Sequence, residues 1–388
     1  MRLKWYALLV PHRLRRFVRP ILFVLIVAAL YGAVRLKRAE LVDFVVPHTA
    51  AGRFIAHEPL YRPEDGHYQY KYFPAFALLM VPFTWLPKEV AQIAWFTLLV
   101  AMTWAFASLA VRALPDRRLS IRALFWIALF FNGKFLVKEL AFGQFNLPVA
   151  LLILGAVIAS QHKRPLLAGA SIAGGVFVKP YALIMVPWLA VTQGWRPMVP
   201  FSLVLAMGLL LPTISYGWDG NLALMFEWYR TVTETTGPNL LGFENMSFAS
   251  MWAKWIGAGR TAAALALAST ITAVAGGLLL VSRRRHVPEP NYLEGAYFSL
   301  LVPLISPQGW DYVLIIGLPA YVVLVDRWRE LSIPWRGAAA LGIFLTSFTI
   351  WDLLRRTLYT LLMEWSGVSI GAVLIAACLI HLRWRALA

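Results

Sequence analysis

Charged residues are scarce in this chain. Asp, Glu, Lys and Arg together make up 14% of it, whereas hydrophobic residues make up 60%. A soluble globular domain carries about 25% charged residues, so the composition excludes an ordinary soluble protein. Apolar runs recur between residues 20 and 382, and runs of roughly 15 to 25 residues are about long enough to cross a bilayer as helices. We therefore expect an all-α polytopic membrane protein.

Cysteine and the common cofactor motifs are also lacking. The one cysteine, Cys378, lies in the last apolar run, which excludes a disulfide within the chain and a metal site built from several cysteines. There is no Walker loop, dinucleotide-binding glycine fingerprint or zincin motif. The sequence therefore gives no firm indication of a cofactor. Internal repeats are absent too, so residues 1–388 are expected to form a single membrane-embedded domain.

The apolar runs predict a bundle of about twelve transmembrane helices, with the N- and C-termini in the cytoplasm. We place the helices at residues 20–36, 89–111, 120–135, 146–160, 165–178, 180–192, 197–216, 260–281, 291–305, 311–326, 336–352 and 366–382. One further apolar segment, residues 73–86, is short and contains Pro74 and Pro82. We expect it to lie along or dip into the outer leaflet.

Acidic residues are about half as common as basic ones, 19 against 36, which gives a net charge of +17. In the predicted topology the cytoplasmic loops are short and basic, whereas the outer segments carry both signs, as the positive-inside rule requires. The basic charge is therefore a topology signal, and nucleic acid is not an expected partner.

The polar residues are concentrated in the predicted outer segments. The two long ones are residues 37–88, a first outer loop expected to carry interfacial helices and the catalytic group, and residues 217–259, a second long outer loop. This one-sided distribution predicts a multi-pass protein of the plasma (inner) membrane whose active site lies on the extracytoplasmic side.

Asp43 and Lys179 are the first candidates for chemistry. Asp43 follows the first predicted span, where partial desolvation would raise its pKa towards that of a general base; a solvated interfacial acid is the alternative. Lys179 lies between two short apolar segments and precedes Pro180. Its ammonium suits a phosphate, and the alternative is a lysine that extends to the membrane surface.

Two further groups of polar residues lie on the same predicted side. Lys134 and Lys138 precede Gln144 and Asn146, a set able to hold sugar hydroxyls or a phosphate; charges that merely cap a span are the alternative. Trp310, Asp311 and Asn245 are further candidates for a sugar site. Trp310 and Asp311 are adjacent, and a tryptophan beside an acid suits the apolar and polar faces of a sugar. An interfacial tryptophan and a helix cap are the alternatives.

An adjacent acidic pair in the first outer loop, Glu64 and Asp65, is the one place where the sequence makes a divalent metal conceivable. Carboxylate oxygens suit hard cations. A pair of solvated acids is the alternative reading, and no metal site is assigned.

In order and spacing, several short blocks resemble glycosyltransferase family 87, the membrane transferases that use polyprenyl-phosphate sugars and have the GT-C fold. The matching blocks are Asp43-Phe44, Glu58-Pro59-Leu60-Tyr61, Tyr72-Phe73-Pro74, Gly143-Gln144-Phe145-Asn146, Lys179-Pro180, Asn245-Met246-Ser247 and Ser306-Pro307 with Trp310. The chain departs from the family pattern at Asp311, where histidine is frequent, and at His57, where glycine is usual.

The resemblance implies a GT-C-like bundle and an inverting transfer of a hexose, with mannose favoured, from a polyprenyl-phosphate donor to an extracytoplasmic lipid or glycan acceptor. Asp43 corresponds to the catalytic base. Tyr72 belongs to the matching blocks and is a candidate donor-binding residue. Lys179, and after it Lys138, would offset the charge of the departing phosphate.

Two other classes of function fit part of this pattern. A flippase or transporter of polyprenyl-linked sugars would also have about twelve spans, but it should place polar loops on both faces of the membrane. A non-catalytic scaffold of a cell-envelope complex would tolerate the loss of Asp43.

Overall fold

The chain is all-helical in the computed structural model, which describes residues 15–36 and 40–385. Within those residues the one element of β-structure is an isolated antiparallel bridge between Asn245 and Trp310. The predicted all-α class is confirmed. The predicted cytoplasmic termini, residues 1–14 and 386–388, and residues 37–39 of the first outer loop lie outside the described residues.

The first half of the chain forms α1 to α9. Their bounds are Arg15–Leu36 (α1), Val42–Ile55 (α2), Pro74–Thr84 (α3), Lys88–Ala113 (α4), Ile121–Phe131 (α5), Gly133–Phe142 (α6), Asn146–Gln161 (α7), Pro165–Val178 (α8) and Met185–Gln193 (α9). Short 3-10 helices, Pro63–Tyr68 and Pro180–Ile184, precede α3 and α9.

The second half forms α10 to α18. Their bounds are Met198–Leu210 (α10), Thr213–Leu240 (α11), Phe248–Ile256 (α12), Arg260–Ser282 (α13), Asn291–Ile305 (α14), Leu318–Asp326 (α15), Ile333–Ser347 (α16), Trp351–Glu364 (α17) and Gly367–Arg385 (α18). Three more 3-10 helices complete this half: Arg284–His286, Asp311–Gly317 and Trp328–Glu330.

Three of these helices, α4, α13 and α18, are long and apolar enough to cross a membrane alone. Two bent pairs, α10 with α11 and α16 with α17, raise the number to at most five among the described residues. The predicted count of about twelve spans is therefore not confirmed. The reason is physical: many apolar runs are helices of only 10–17 residues, and others are divided by bends or by 3-10 turns.

The predicted outer segments contain more helix than a loop would. The first, from residue 40 to residue 88, holds α2, a 3-10 helix and α3, so the expected helices are present, and their position at the membrane interface stays a prediction. The second, residues 217–259, was predicted as a loop from its polar residues, but most of it belongs to α11 and α12. Its polar residues share these helices with large apolar ones, so polarity alone did not indicate a loop.

Small residues allow the apolar helices to pack closely. A Cβ added to Gly169 of α8 would lie 1.9 Å from the carbonyl oxygen of Pro197, and one added to Gly295 of α14 would lie 2.3 Å from Val157 of α7. Close backbone approach is the usual way in which helices pack where lipid, not water, is the solvent. These contacts hold α8 against the start of α10, and α14 against α7.

Helix α4 joins two polar ends of the molecule. Near its start, Gln92 donates a hydrogen bond to the carbonyl oxygen of Glu40 (2.9 Å). Just beyond its end, Asp326 accepts hydrogen bonds from the backbone N–H groups of Arg118 (2.9 Å) and Leu119 (2.8 Å). At 1.5 Å per residue, the 26 residues of α4 separate the two ends by about 39 Å.

Candidate active site

Asp43 lies in the first turn of α2, a helix that begins after Leu41, whose φ is +47°. Phe44 fixes this turn against α4 by stacking on Trp95, with ring centroids 5.8 Å apart. Gly143 completes the contact: its φ is +70°, and a Cβ there would lie 3.0 Å from the Cβ atoms of Leu41 and Phe44. The first turn of α2 is thereby held against the segment that carries Gln144.

A hydrogen bond joins two of the predicted site residues. The amide Nε2 of Gln144 donates to Oδ2 of Asp43 (2.5 Å), and its Oε1 accepts from Nζ of Lys179 (3.1 Å). An ammonium group can only donate, so Lys179 fixes which end of the Gln144 amide faces Asp43. Lys179 therefore acts on Asp43 through Gln144.

Asn146 extends the same chain of contacts to Glu139. Its Oδ1 accepts from Lys179 Nζ (2.8 Å), and its Nδ2 donates to Oε2 of Glu139 (2.8 Å). The other oxygen of Glu139 accepts from the backbone N–H groups of Asn146 (2.8 Å) and Leu147 (2.9 Å), at the start of α7. We call Asp43, Gln144, Lys179, Asn146 and Glu139 the buried polar chain, in which charged and amide side chains alternate.

Burial governs the protonation of this chain. It raises the pKa of Asp43, although Lys179 and the Gln144 hydrogen bond lower it. Burial also raises the pKa of Glu139 to about 6 and lowers the pKa of Lys179 to about 8, in spite of the opposing charges of Glu139 and Asp43. The opposite charges within the chain therefore offset part of the effect of burial on each group.

Aromatic side chains cover the buried polar chain. Tyr72 stacks on Phe76, with ring centroids 4.7 Å apart, and meets the edge of Phe145. Burial, together with the charges of Asp43 and Glu139, raises the pKa of Tyr72 well above its usual value. The predicted residue Tyr72 therefore lies beside Asp43 as a neutral phenol, and Tyr181 donates to Asn146 Oδ1 (3.0 Å).

Two residues of the site were missed by sequence reasoning. The charges of His67 and Lys71 lie close enough to lower the pKa of Asp43. Burial lowers the pKa of Lys71 itself, and Asp43 opposes that effect. Lys71 forms no ion pair with any described residue, so its ammonium is available to a ligand. A lysine next to Tyr72 is an ordinary surface residue in the sequence, and nothing short of the fold signals its place beside Asp43.

A second cluster contains Lys134, Lys138, Asp311 and Glu244. Asp311 is fully buried and forms ion pairs with Lys134 (2.9 Å) and Lys138 (2.9 Å). Lys138 also pairs with Glu244 (2.6 Å). The four charges balance within the cluster, so Lys134, Lys138 and Asp311 are brought together but are committed to one another. A direct contact of these residues with a sugar or phosphate stays a prediction.

Asn245 and Trp310 connect the segment after α11 with the segment after α14. The Asn245 amide donates to the carbonyl oxygens of Asn239 (3.1 Å) and Pro307 (2.8 Å), and its Oδ1 accepts from the N–H of Ser247 (3.0 Å). The Trp310 ring lies against Gly242, where a Cβ would be 3.0 Å from it. These contacts stabilise the loops; a sugar contact by either side chain stays a prediction.

The acidic pair Glu64 and Asp65 is not arranged to bind a cation. Asp65 accepts two hydrogen bonds from the guanidinium of Arg53, at 2.5 Å and 2.8 Å, and Glu64 is exposed. In the described part of the chain, no group of three or more His, Cys, Asp or Glu side chains could hold a metal ion.

The comparison with known families identifies one match. The family model of glycosyltransferase family 87 matches residues 70–307, more than half of the chain. This range includes Lys71, Gln144 and Lys179, whereas Asp43 precedes it and Trp310 follows it. No curated protein and no solved structure matches the chain.

Proposed function

Since the chain belongs to glycosyltransferase family 87 and is a glycosyltransferase, we propose that it transfers a hexose, with mannose favoured, from a polyprenyl-phosphate donor to an extracytoplasmic lipid or glycan acceptor. Its apolar helices, three of them long enough to cross a membrane, support a membrane enzyme that takes a lipid-borne donor. The GT-C fold, the plasma membrane and the extracytoplasmic side of the site belong to the same proposal.

One observation carries the assignment of the base. Asp43 is largely buried and has one oxygen, Oδ2, held by Gln144, while Oδ1 makes no hydrogen bond with a described residue. A carboxylate with a raised pKa and an unused oxygen is suited to take up a proton near neutral pH. Asp43 is therefore the general base of the proposed reaction.

The reaction proceeds as a single displacement. Oδ1 of Asp43 removes the proton from an acceptor hydroxyl group. At the same time the oxygen of that hydroxyl group attacks the anomeric carbon from the side opposite the phosphate. The bond between the anomeric carbon and the phosphate oxygen breaks, and its electron pair leaves with the polyprenyl phosphate. The configuration at the anomeric carbon is inverted. No covalent intermediate with the enzyme is formed.

Two lysines offset the charge that develops on the phosphate. Lys179 is hydrogen-bonded to Gln144 and Asn146, so its role is to orient Gln144 and to contribute positive charge from within the protein. Lys71 lies near Asp43 and has no ion-pair partner among the described residues. It supplies the ammonium that contacts the departing phosphate directly, and Lys138 is held by its carboxylate partners.

The proposal is tested by a transfer assay on the purified protein in lipid nanodiscs. Radiolabelled polyprenyl-phosphate mannose and, separately, glucose are supplied with an extract of native lipids. We expect the unmodified protein to transfer label and Asp43→Asn to lose transfer by about 10²–10⁴-fold, the usual contribution of a general base. Glu64→Gln, which neutralises an exposed acid of the same segment, is the matched control and should retain full activity.

Undiminished transfer by a folded Asp43→Asn protein would disprove the assignment of the base. Binding of the donor without transfer by the unmodified protein, whichever sugar is supplied, would instead favour the flippase or transporter.

A further inference from the structure

The segment after α10 changes direction sharply. The axes of α10 and α11 are bent by 91°, and Gly217, with φ +70° and ψ 179°, separates the start of α11 from its long straight part. At 1.5 Å per residue, residues 218–240 extend about 35 Å at a right angle to an apolar helix that contains no charged residue.

The straight part of α11 has three distinct faces. One faces the protein and includes Leu224, Thr231 and Trp228. With 100° between successive residues, a second face carries four large apolar side chains that are 51% to 67% exposed: Trp218, Leu222, Phe226 and Tyr229. We call these four the apolar stripe of α11. The third face carries exposed Asp219, Ala223, Arg230 and Glu234.

A helix with a protein face, an apolar face and a polar face fits the line where protein, lipid and water meet. Tryptophan and tyrosine in the apolar stripe are the residues that membrane interfaces favour. A helix perpendicular to one that lies along the membrane normal runs parallel to the membrane plane, which is the orientation that the 91° bend gives α11 when α10 lies along the normal.

Helix α17 repeats the arrangement. It is bent by 102° from α16 and exposes Leu353, Leu358 and Leu361. Phe243, just after α11, contacts Tyr359 of α17, with ring centroids 5.6 Å apart. The segment that follows α11 therefore contacts α17, the second helix of the other bent pair.

From these observations we propose that α11 lies in the plane of the membrane, with its apolar stripe inserted at the head-group boundary of the leaflet on the Asp43 side. The side is set by Trp228, which stacks on Phe73 with ring centroids 4.2 Å apart and donates to the carbonyl oxygen of Lys71 (3.2 Å). The helix thus connects the lipid surface to the segment that carries Lys71, and it does so whichever group the enzyme transfers.

Site-directed spin labelling in proteoliposomes tests this placement. Single cysteines replace Trp218, Leu222 and Phe226 in the apolar stripe and, as matched controls, Ala223, Arg230 and Glu234 on the polar face. Each is labelled with a nitroxide, and collision rates are measured with oxygen, which concentrates in lipid, and with a water-soluble nickel chelate. The parent chain, whose Cys378 is buried, controls for background labelling.

We expect the ratio of oxygen to nickel collision rates to be several-fold higher at each stripe position than at the polar positions. Equal ratios with free access to nickel at all six positions would show that the stripe faces water and would overturn the proposal. Low rates with both reagents at the stripe alone would show a protein surface covering it, which also overturns the proposal. All six positions are exposed, so the readout does not depend on any one variant.

Discussion

Two buried carboxylates, one at each polar end of the molecule, differ in the number of partners that hold them. At the end beyond α4, the buried Glu294 pairs with Arg383 (3.0 Å) and Arg284 (3.6 Å) and accepts from Trp188 (3.2 Å). At the other end, the largely buried Asp43 accepts one hydrogen bond, from the neutral amide of Gln144, and forms no ion pair with a described residue. Both oxygens of Glu294 have partners, whereas Oδ1 of Asp43 is left for a substrate.

The difference separates a structural carboxylate from a chemical one. Glu294 joins α14, α9 and α18, and both of its oxygens accept hydrogen bonds. Asp43 is positioned by packing of Phe44 and Gly143, so its hydrogen-bonding capacity is not needed to hold it. Substitutions of the partners of Glu294 should therefore change stability, and substitutions of Asp43 should change activity.

The largest expected effect outside the base itself is at Arg383. Arg383→Met leaves Glu294 buried with its closest cation removed, and breaking one side of a buried pair costs about 3–5 kcal/mol. We expect a marked fall in the thermal unfolding midpoint in detergent, while Asp43→Asn leaves that midpoint nearly unchanged. Arg385→Met, two residues on and exposed, is the control. An unchanged unfolding midpoint for Arg383→Met would contradict the structural role of the pair formed by Glu294 and Arg383.

The next effect concerns binding of the donor near Asp43. Lys71→Gln removes the unpaired ammonium near Asp43 while keeping a polar side chain. We expect the KM for the donor to rise by about tenfold, equivalent to about 1.4 kcal/mol, with little change in the KM for the acceptor. Lys254→Gln, a lysine outside the buried polar chain, is the control. An equal rise for both substrates would argue against a phosphate contact.

The smallest effect is a change in the pH dependence of transfer. Asp43 acts only when ionised, and its pKa is raised by burial, so activity should fall on the acid side at a higher pH than an ordinary aspartate would give. Lys179 contributes positive charge towards the departing phosphate only when protonated, and its pKa is about 8, so activity should also fall as the pH rises through that value. Lys179→Met should lower the rate and abolish the alkaline limb of the kcat profile. An unaltered alkaline limb would show that another group causes it.

The sequence predicted the helices better than their relation to the membrane. The apolar runs at 146–160 and 165–178 correspond to α7 and α8 within one residue. The runs at 197–216 and 336–352 were predicted as spans, but each contains a bend of about a right angle. Hydropathy measures how apolar a segment is, whereas bends depend on backbone angles such as those of Gly217.

The site was predicted residue by residue but not as an arrangement. Asp43, Gln144 and Lys179 were each named from local patterns, yet their contacts span 101 and 35 residues of sequence. Glu139 follows Lys138 in the sequence, whereas in the structure it caps α7 and bonds to Asn146. Local pattern indicates which residues are polar in apolar surroundings. It cannot indicate which of them share a proton-accepting network, because tertiary packing decides that.

The length of α4 has a consequence for how a lipid-borne donor reaches the enzyme. Its 26 residues extend about 39 Å, close to the full thickness of a bilayer with its head groups, about 40–45 Å. With α4 along the bilayer normal, Asp43, beside the start of this helix, would lie at the depth of the phosphates. In the proposed reaction the polyprenyl chain of the donor would then stay in the hydrocarbon, so no energy would be needed to extract it.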